Sequence, residues 1–200
     1  QNMGGWVCNA CGKGDGFDLL AGVHSIEMAE VFRRVEGIVG SVEPDQLPKR
    51  KTAGRALQDI QRLIGMCRDM AGSPVELYLR NRAICLPKWP AALGYVERLP
   101  YDRDRASPGM VATVTGPDGE IVQAHRTWIT ADGRKADYDP PRKLMAGPLP
   151  AGSAIRLFRP AVEMGVAEGI ETALSAMILF RMPVWAGISA ANMVRWRPPK

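Results

Sequence analysis

The chain has 200 residues, 46% of them hydrophobic, and a formal net charge of +5 at pH 7. That length suits one or two domains with a real core. No apolar run approaches the ~20 residues of a membrane helix and no secretory pattern opens the sequence, so the expected location is the cytoplasm. Four cysteines are too few for a secreted disulfide scaffold. The charge is uneven: His125 to Arg159 holds seven basic and three acidic residues, and Arg33 to Arg105 holds fourteen basic and nine acidic. Two basic stretches point to a polyanion such as nucleic acid; the alternative is a solvated basic surface.

In chain order, Trp6 to Gly12 reads as a short strand entering a knuckle. Cys8 and Cys11 form a C-x2-C pair, which in such a chain suggests structural zinc or, less often, a thiol redox pair. Zinc needs four ligands, so a second pair is expected before Gln1. His24, the one nearby alternative, falls on a helix predicted to start near Asp15. Phe17 to Val39 has helical periodicity. Glu43 to Arg55 is a polar linker. Leu57, Ile60, Leu63, Ile64, Cys67, Met70 and Ala71 mark one face of an amphipathic helix, and Cys67 and Cys85 are expected in the core. Ser73-Pro74-Val75-Glu76 is a capping box opening a helix from Pro74 to Arg82.

From Met110 the pattern turns to strands. Met110 to Thr115 and Glu120 to Trp128 flank the turn Gly116-Pro117-Asp118-Gly119. A second turn, Thr130 to Gly133, leads into a basic loop over Arg134 to Lys143. Strands follow at Ile155 to Phe158 and Val162 to Ala167, then a helix from Gly169 to Phe180. Val184 to Ile188 is a strand, and Ser189 is placed to cap a last helix. The fold class is α+β passing into α/β. An N-terminal helical region with a partial zinc knuckle precedes a β-rich basic subdomain, and the first βαβ units of a doubly wound domain come last. The expected divisions are residues 1–25, 26–72, 73–160 and 161–200.

The most informative stretch is Val166 to Ala176. A strand delivers Glu168 to Gly169, and a helix starts at once. Ligands of open α/β sheets bind beyond the carboxyl ends of the strands. A carboxylate there can hold a divalent metal or move a proton. The alternative is an ordinary first-turn acid favoured by the helix dipole.

These pieces, in this order, resemble bacterial and phage DNA primases, especially the primase-like proteins of phages and mobile elements. Trp6-Val7-Cys8-x-x-Cys11-Gly12 and Gly14 to Leu20 resemble the second half of the primase zinc ribbon and its exit. Tyr78-Leu79-x-x-Arg82-x-Ile84 and Leu93-Gly94-Tyr95 resemble the start of the catalytic core. Ala124 to Trp128 and Lys143 to Gly147 resemble its basic strand region, and Glu168-Gly169-Ile170-Glu171-Thr172-Ala173 resembles the first Toprim motif. Two elements of the family pattern are not in the chain: the first zinc-ligand pair, and the later Asp-x-Asp motif, expected beyond Lys200. Thr172 stands where replicative primases commonly have Asp.

The resemblance implies a piece of a primase or primase–helicase that makes primers on single-stranded DNA from nucleoside triphosphates, with a helicase as a further partner. It implies structural Zn2+ at Cys8 and Cys11, catalytic Mg2+ or Mn2+ at Glu168, and Glu171 as a possible second carboxylate. Arg126, Arg134, Lys135, Arg142 and Lys143 are placed to contact phosphates, with Arg80 and Arg82 a second set. His125 would either bond phosphate or satisfy a strand neighbour. Trp128 and Tyr138 could stack bases, although Trp128 also suits a half-buried core position. Two other classes stay open: a Toprim nuclease, which would cleave DNA without synthesis, and a non-catalytic single-stranded nucleic-acid-binding module.

Overall fold

The computed structural model describes residues 5–8, 12–39 and 53–199. They belong to two units, residues 1–50 and 51–200.

In the first unit, β1 (Gly5–Cys8) and β2 (Gly12–Asp15) form an antiparallel hairpin. Asp15 caps α1 (Gly16–His24): its carboxylate accepts from the Phe17 and Asp18 N–H groups, and Asp18 returns a bond from the Asp15 N–H. The helical periodicity over Phe17 to Val39 resolves into two helices. Ser25 adopts the left-handed conformation that closes α1, and α2 (Met28–Val39) restarts after it. Phe17 and Phe32 pack ring to ring across the pair. The zinc ligation expected of Cys8 and Cys11 lies outside the described residues.

The second unit begins with α3 (Ala53–Gly65). The expected helix ran on to Ala71, but the chain leaves it at Gly65. Arg68 then exchanges two backbone hydrogen bonds with Tyr95. This exit divides the apolar residues between two clusters, with Ile60 and Leu63 in one and Met70 in the other. Cys67 is half-buried, its thiol pushed up to about 11 by burial. Cys85 is exposed, contrary to expectation, because its neighbour Ile84 takes the core position.

α4 (Pro74–Arg80) opens at Ser73 as expected. The reciprocal bond differs from a capping box, since Glu76 accepts from the Gly72 N–H, one residue before the cap. The antiparallel sheet runs in order β3 (Leu93–Pro100), β4 (Ala106–Thr115), β5 (Ile121–Trp128), β6 (Arg142–Leu144). Both faces are covered. Met110, Ala112 and Val114 face one cluster with α4, while Val111, Ala124 and Trp128 face the other with α3. The expected Ile155 to Phe158 strand reduces to bridges, Thr115 with Ala154 and Ile155 with Ala186.

The chain closes with β7 (Gly165–Ala167), α5 (Ile170–Phe180), β8 (Val184–Ala186) and α6 (Ala190–Met193). β7 and β8 are parallel, the βαβ arrangement expected. Ser189 caps α6 through its hydroxyl oxygen. Ile170, Ala173 and Leu174 of α5 join Ala112, Val114 and Tyr78 in one apolar cluster. The fold is therefore α+β, ending in a parallel βαβ unit.

Candidate functional site

Because β7 and β8 are parallel, Glu168 and Gly187 leave the sheet at the same edge, and the Gly187 N–H bonds the Ala167 carbonyl at 2.7 Å. Glu168 is exposed there. Gly169 is the N-cap of α5 and supplies no side-chain cap.

One turn on, Glu171 turns inward. The Tyr78 hydroxyl donates to its Oε1 at 2.5 Å. Tyr78 is fully buried, and the Arg82 guanidinium lies 3.8 Å from its ring centroid. Burial pushes the Glu171 carboxyl up. The Tyr78 bond, its own backbone N–H and the charges of Lys135 and Arg142 outweigh that and hold it below the usual carboxylate range. Tyr78 shifts the other way: burial first, then the neighbouring carboxylate, raise its phenol far above the ordinary value.

Lys135 comes to this place from the turn after β5. Gly133 has φ of +72°, and a Cβ on it would stand 2.9 Å from the Tyr78 backbone nitrogen. Glycine thus permits both the left-handed turn and its contact with α4. Asn81 seals the junction by donating to the Gly133 carbonyl at 3.1 Å.

Strand pairing sorts the remaining residues by face. His125 pairs with Ala112 and Leu144, and Thr127 with Met110 and Arg142. His125 and Arg142 therefore share the face that holds Met110 and Ala112. The His125 ring has a buried Nδ1 with no partner. Burial lowers its pKa to about 4, with Arg142, Arg126 and Lys135 adding to the effect and Glu171 opposing it. Glu171, Tyr78, Arg82, His125, Lys135 and Arg142 thus act on one another from α5, α4, its exit, β5, the following turn and β6.

The opposite face holds a second group. Arg126 pairs with Lys143 and Val111. Its Nη2 donates to the Leu144 carbonyl at 3.1 Å, its Nε is buried without a partner, and it lies 4.9 Å over the Trp128 ring. Lys143 Nζ is 3.8 Å from the Tyr101 centroid. Trp128 is fully buried, with its indole N–H on the Leu99 carbonyl. It is a core residue and presents no face for a base. Tyr138 stacks on Tyr101 at 4.3 Å. Arg80 pairs with Glu76 at 2.8 Å and Arg134 with Asp132 at 2.7 Å, both on the surface.

Among the described residues no three His, Cys, Asp or Glu side chains converge. Glu168 is a single carboxylate, and Glu171 is engaged by Tyr78. Mg2+ or Mn2+ takes one or two protein carboxylates, with phosphate oxygens and water completing its shell, and Glu168 would be the protein's ligand here.

The family profile described as a domain of unknown function, DUF7146, matches residues 54–157, just over half of the chain. The chain belongs to the DUF7146 family. In this DUF7146 protein a Toprim domain profile matches residues 163–200, which takes in β7, Glu168, α5, β8 and α6. Toprim domains generally bind divalent metals. No curated protein matches the chain. The protein is also similar to the zinc-binding and RNA polymerase domains of the Aquifex aeolicus primase, with 14% identity and a TM-score of 0.38. That similarity covers 91% of this chain and 53% of the crystallised primase chain, so the chain spans about half of that chain's length.

Proposed function

We propose that this DUF7146 protein is part of a DNA primase or primase–helicase that joins nucleotides on a single-stranded DNA template. The observation that carries the reading is Glu168 at the carboxyl edge of parallel β7 and β8, inside a Toprim region. In the reaction a 3′-hydroxyl attacks an α-phosphate, the O3′–P bond forms, and pyrophosphate leaves. Positioning and charge stabilisation supply most of the rate. Lys135 and Arg142 hold phosphate oxygens, and Glu168 serves the reacting end of the site. A divalent ion, when bound, supplies neutralising charge at the phosphates. Cys8 and Cys11 are proposed as half of a structural zinc set.

The test is dinucleotide synthesis from nucleoside triphosphates on single-stranded DNA by the full-length protein. Glu168→Gln is expected to lower turnover by roughly 100-fold or more while DNA affinity and thermal stability stay near wild type. A variant that makes primers at the normal rate refutes the role. Cleavage without synthesis assigns the protein to Toprim nucleases, and salt-dependent binding without turnover makes it a binding module.

A further inference from the structure

We propose that Tyr78 and Glu171 are positioning residues for Glu168, tying the start of α5 to α4 so that the exposed carboxylate stands in a fixed place relative to Lys135 and Arg142. The inference rests on the reading of Glu168 given above and adds two residues to it.

Three observations support it. First, the start of α5 lacks the usual restraint: Gly169 provides no cap side chain, and Glu168 just before it is exposed. The Tyr78–Glu171 hydrogen bond ties this turn to α4. Second, the bond joins residues 93 apart in sequence, one in the DUF7146 match and one in the Toprim match. It therefore links the part that carries the cations to the part that carries Glu168. Third, the pair is not the cheapest way to fill this space. Tyr78 belongs to the same apolar cluster as Val75, Leu79, Ala173 and Leu174, where Phe against Leu would pack without desolvating a hydroxyl and a carboxylate. What the polar pair adds is direction, since a hydrogen bond fixes distance and angle where apolar contact does not.

Two variants separate this role from simple core packing. Tyr78→Phe removes one oxygen and leaves the ring in place under Arg82. Glu171→Gln keeps an oxygen acceptor for the Tyr78 hydroxyl, whereas Glu171→Leu keeps none. In full-length protein, Tyr78→Phe is expected to lower kcat for dinucleotide synthesis about tenfold with KM for nucleotide little changed. Glu171→Gln is expected to lose less than Glu171→Leu. Amide exchange over residues 170–173 should quicken about tenfold in Tyr78→Phe relative to the end of α5.

Wild-type turnover in Tyr78→Phe overturns the proposal. So does a Glu171→Gln variant as impaired as Glu168→Gln, since Glu171 would then take part in the chemistry directly. A wild-type protein that forms no dinucleotide refutes the nucleotidyl-transfer reading instead. The exchange measurement still decides the tether in that case: unchanged protection in Tyr78→Phe overturns it, and lost protection supports it.

Discussion

His125 shows how one position on β5 is set by what surrounds it. Burial and the charges of Arg142, Arg126 and Lys135 all disfavour the imidazolium, Glu171 alone favours it, and the folded pKa falls to about 4 from an ordinary 6.5. Below pH 6.5 the unfolded chain takes up a proton that the folded chain refuses. Stability is therefore full above pH 6.5 and declines as pH falls toward 4, by roughly 3 kcal/mol at most for a shift of this size. Glu171, held low in the folded state, adds a loss only below the usual carboxylate range. The expected outcome is a falling urea midpoint between pH 7 and 4.5, flattened in His125→Gln. An equal pH slope in that variant would show that the ring is not the group responsible.

At the scale of elements, Ser73 both starts α4 and holds the turn before it. Its hydroxyl oxygen accepts from the Val75 and Glu76 N–H groups, and its hydroxyl donates to the Met70 carbonyl at 2.6 Å. Ser73→Ala is expected to cost about 1–2 kcal/mol, read as a lower thermal midpoint. An unchanged midpoint would mean that Pro74 alone starts α4.

Such local chemistry is what made the chain legible. Asp15, Ser73, Ser189, the turn at Gly116 to Gly119 and the Glu168-Gly169 junction announce themselves in adjacent residues. Elements set by distant contacts did not. β3 buries Leu93, Val96 and Leu99, a spacing of three that hides the two-residue period of a strand. Leu93 faces one cluster and Val96 the other, and a register shift between Val96 and Leu99 against β4 brings Leu99 to the cluster of Val96. α3 looked longer than it is because Met70 continues its apolar spacing while entering the other cluster. The candidate site divides the same way. Glu168 is marked by its strand and glycine, but no sequence pattern aims Glu171 at a tyrosine 93 residues earlier.

Across the second unit, the sheet separates cations that the sequence groups together. Arg126 and Lys143 look like one patch with Arg142, yet pairing puts Arg142 on the Glu171 face and the other two on the face with Trp128. Their environments differ accordingly. Arg126 donates to Leu144 over the Trp128 ring, and burial lowers its pKa, whereas Arg142 and Lys135 are exposed. A phosphate contact that releases one counterion contributes about 0.7 to the slope of log affinity against log salt for a single strand. Replacing both Arg142 and Lys135 by Ala should therefore reduce the slope for single-stranded DNA by about 1.4. Arg126→Gln should leave the slope nearly intact and lower the thermal midpoint, because it removes packing on Trp128 and a bond to Leu144. Fluorescence titrations of one oligonucleotide at several salt concentrations check both expectations. If Arg126→Gln flattens the slope and the Arg142, Lys135 double variant does not, the strand runs over the Trp128 face, away from Glu168.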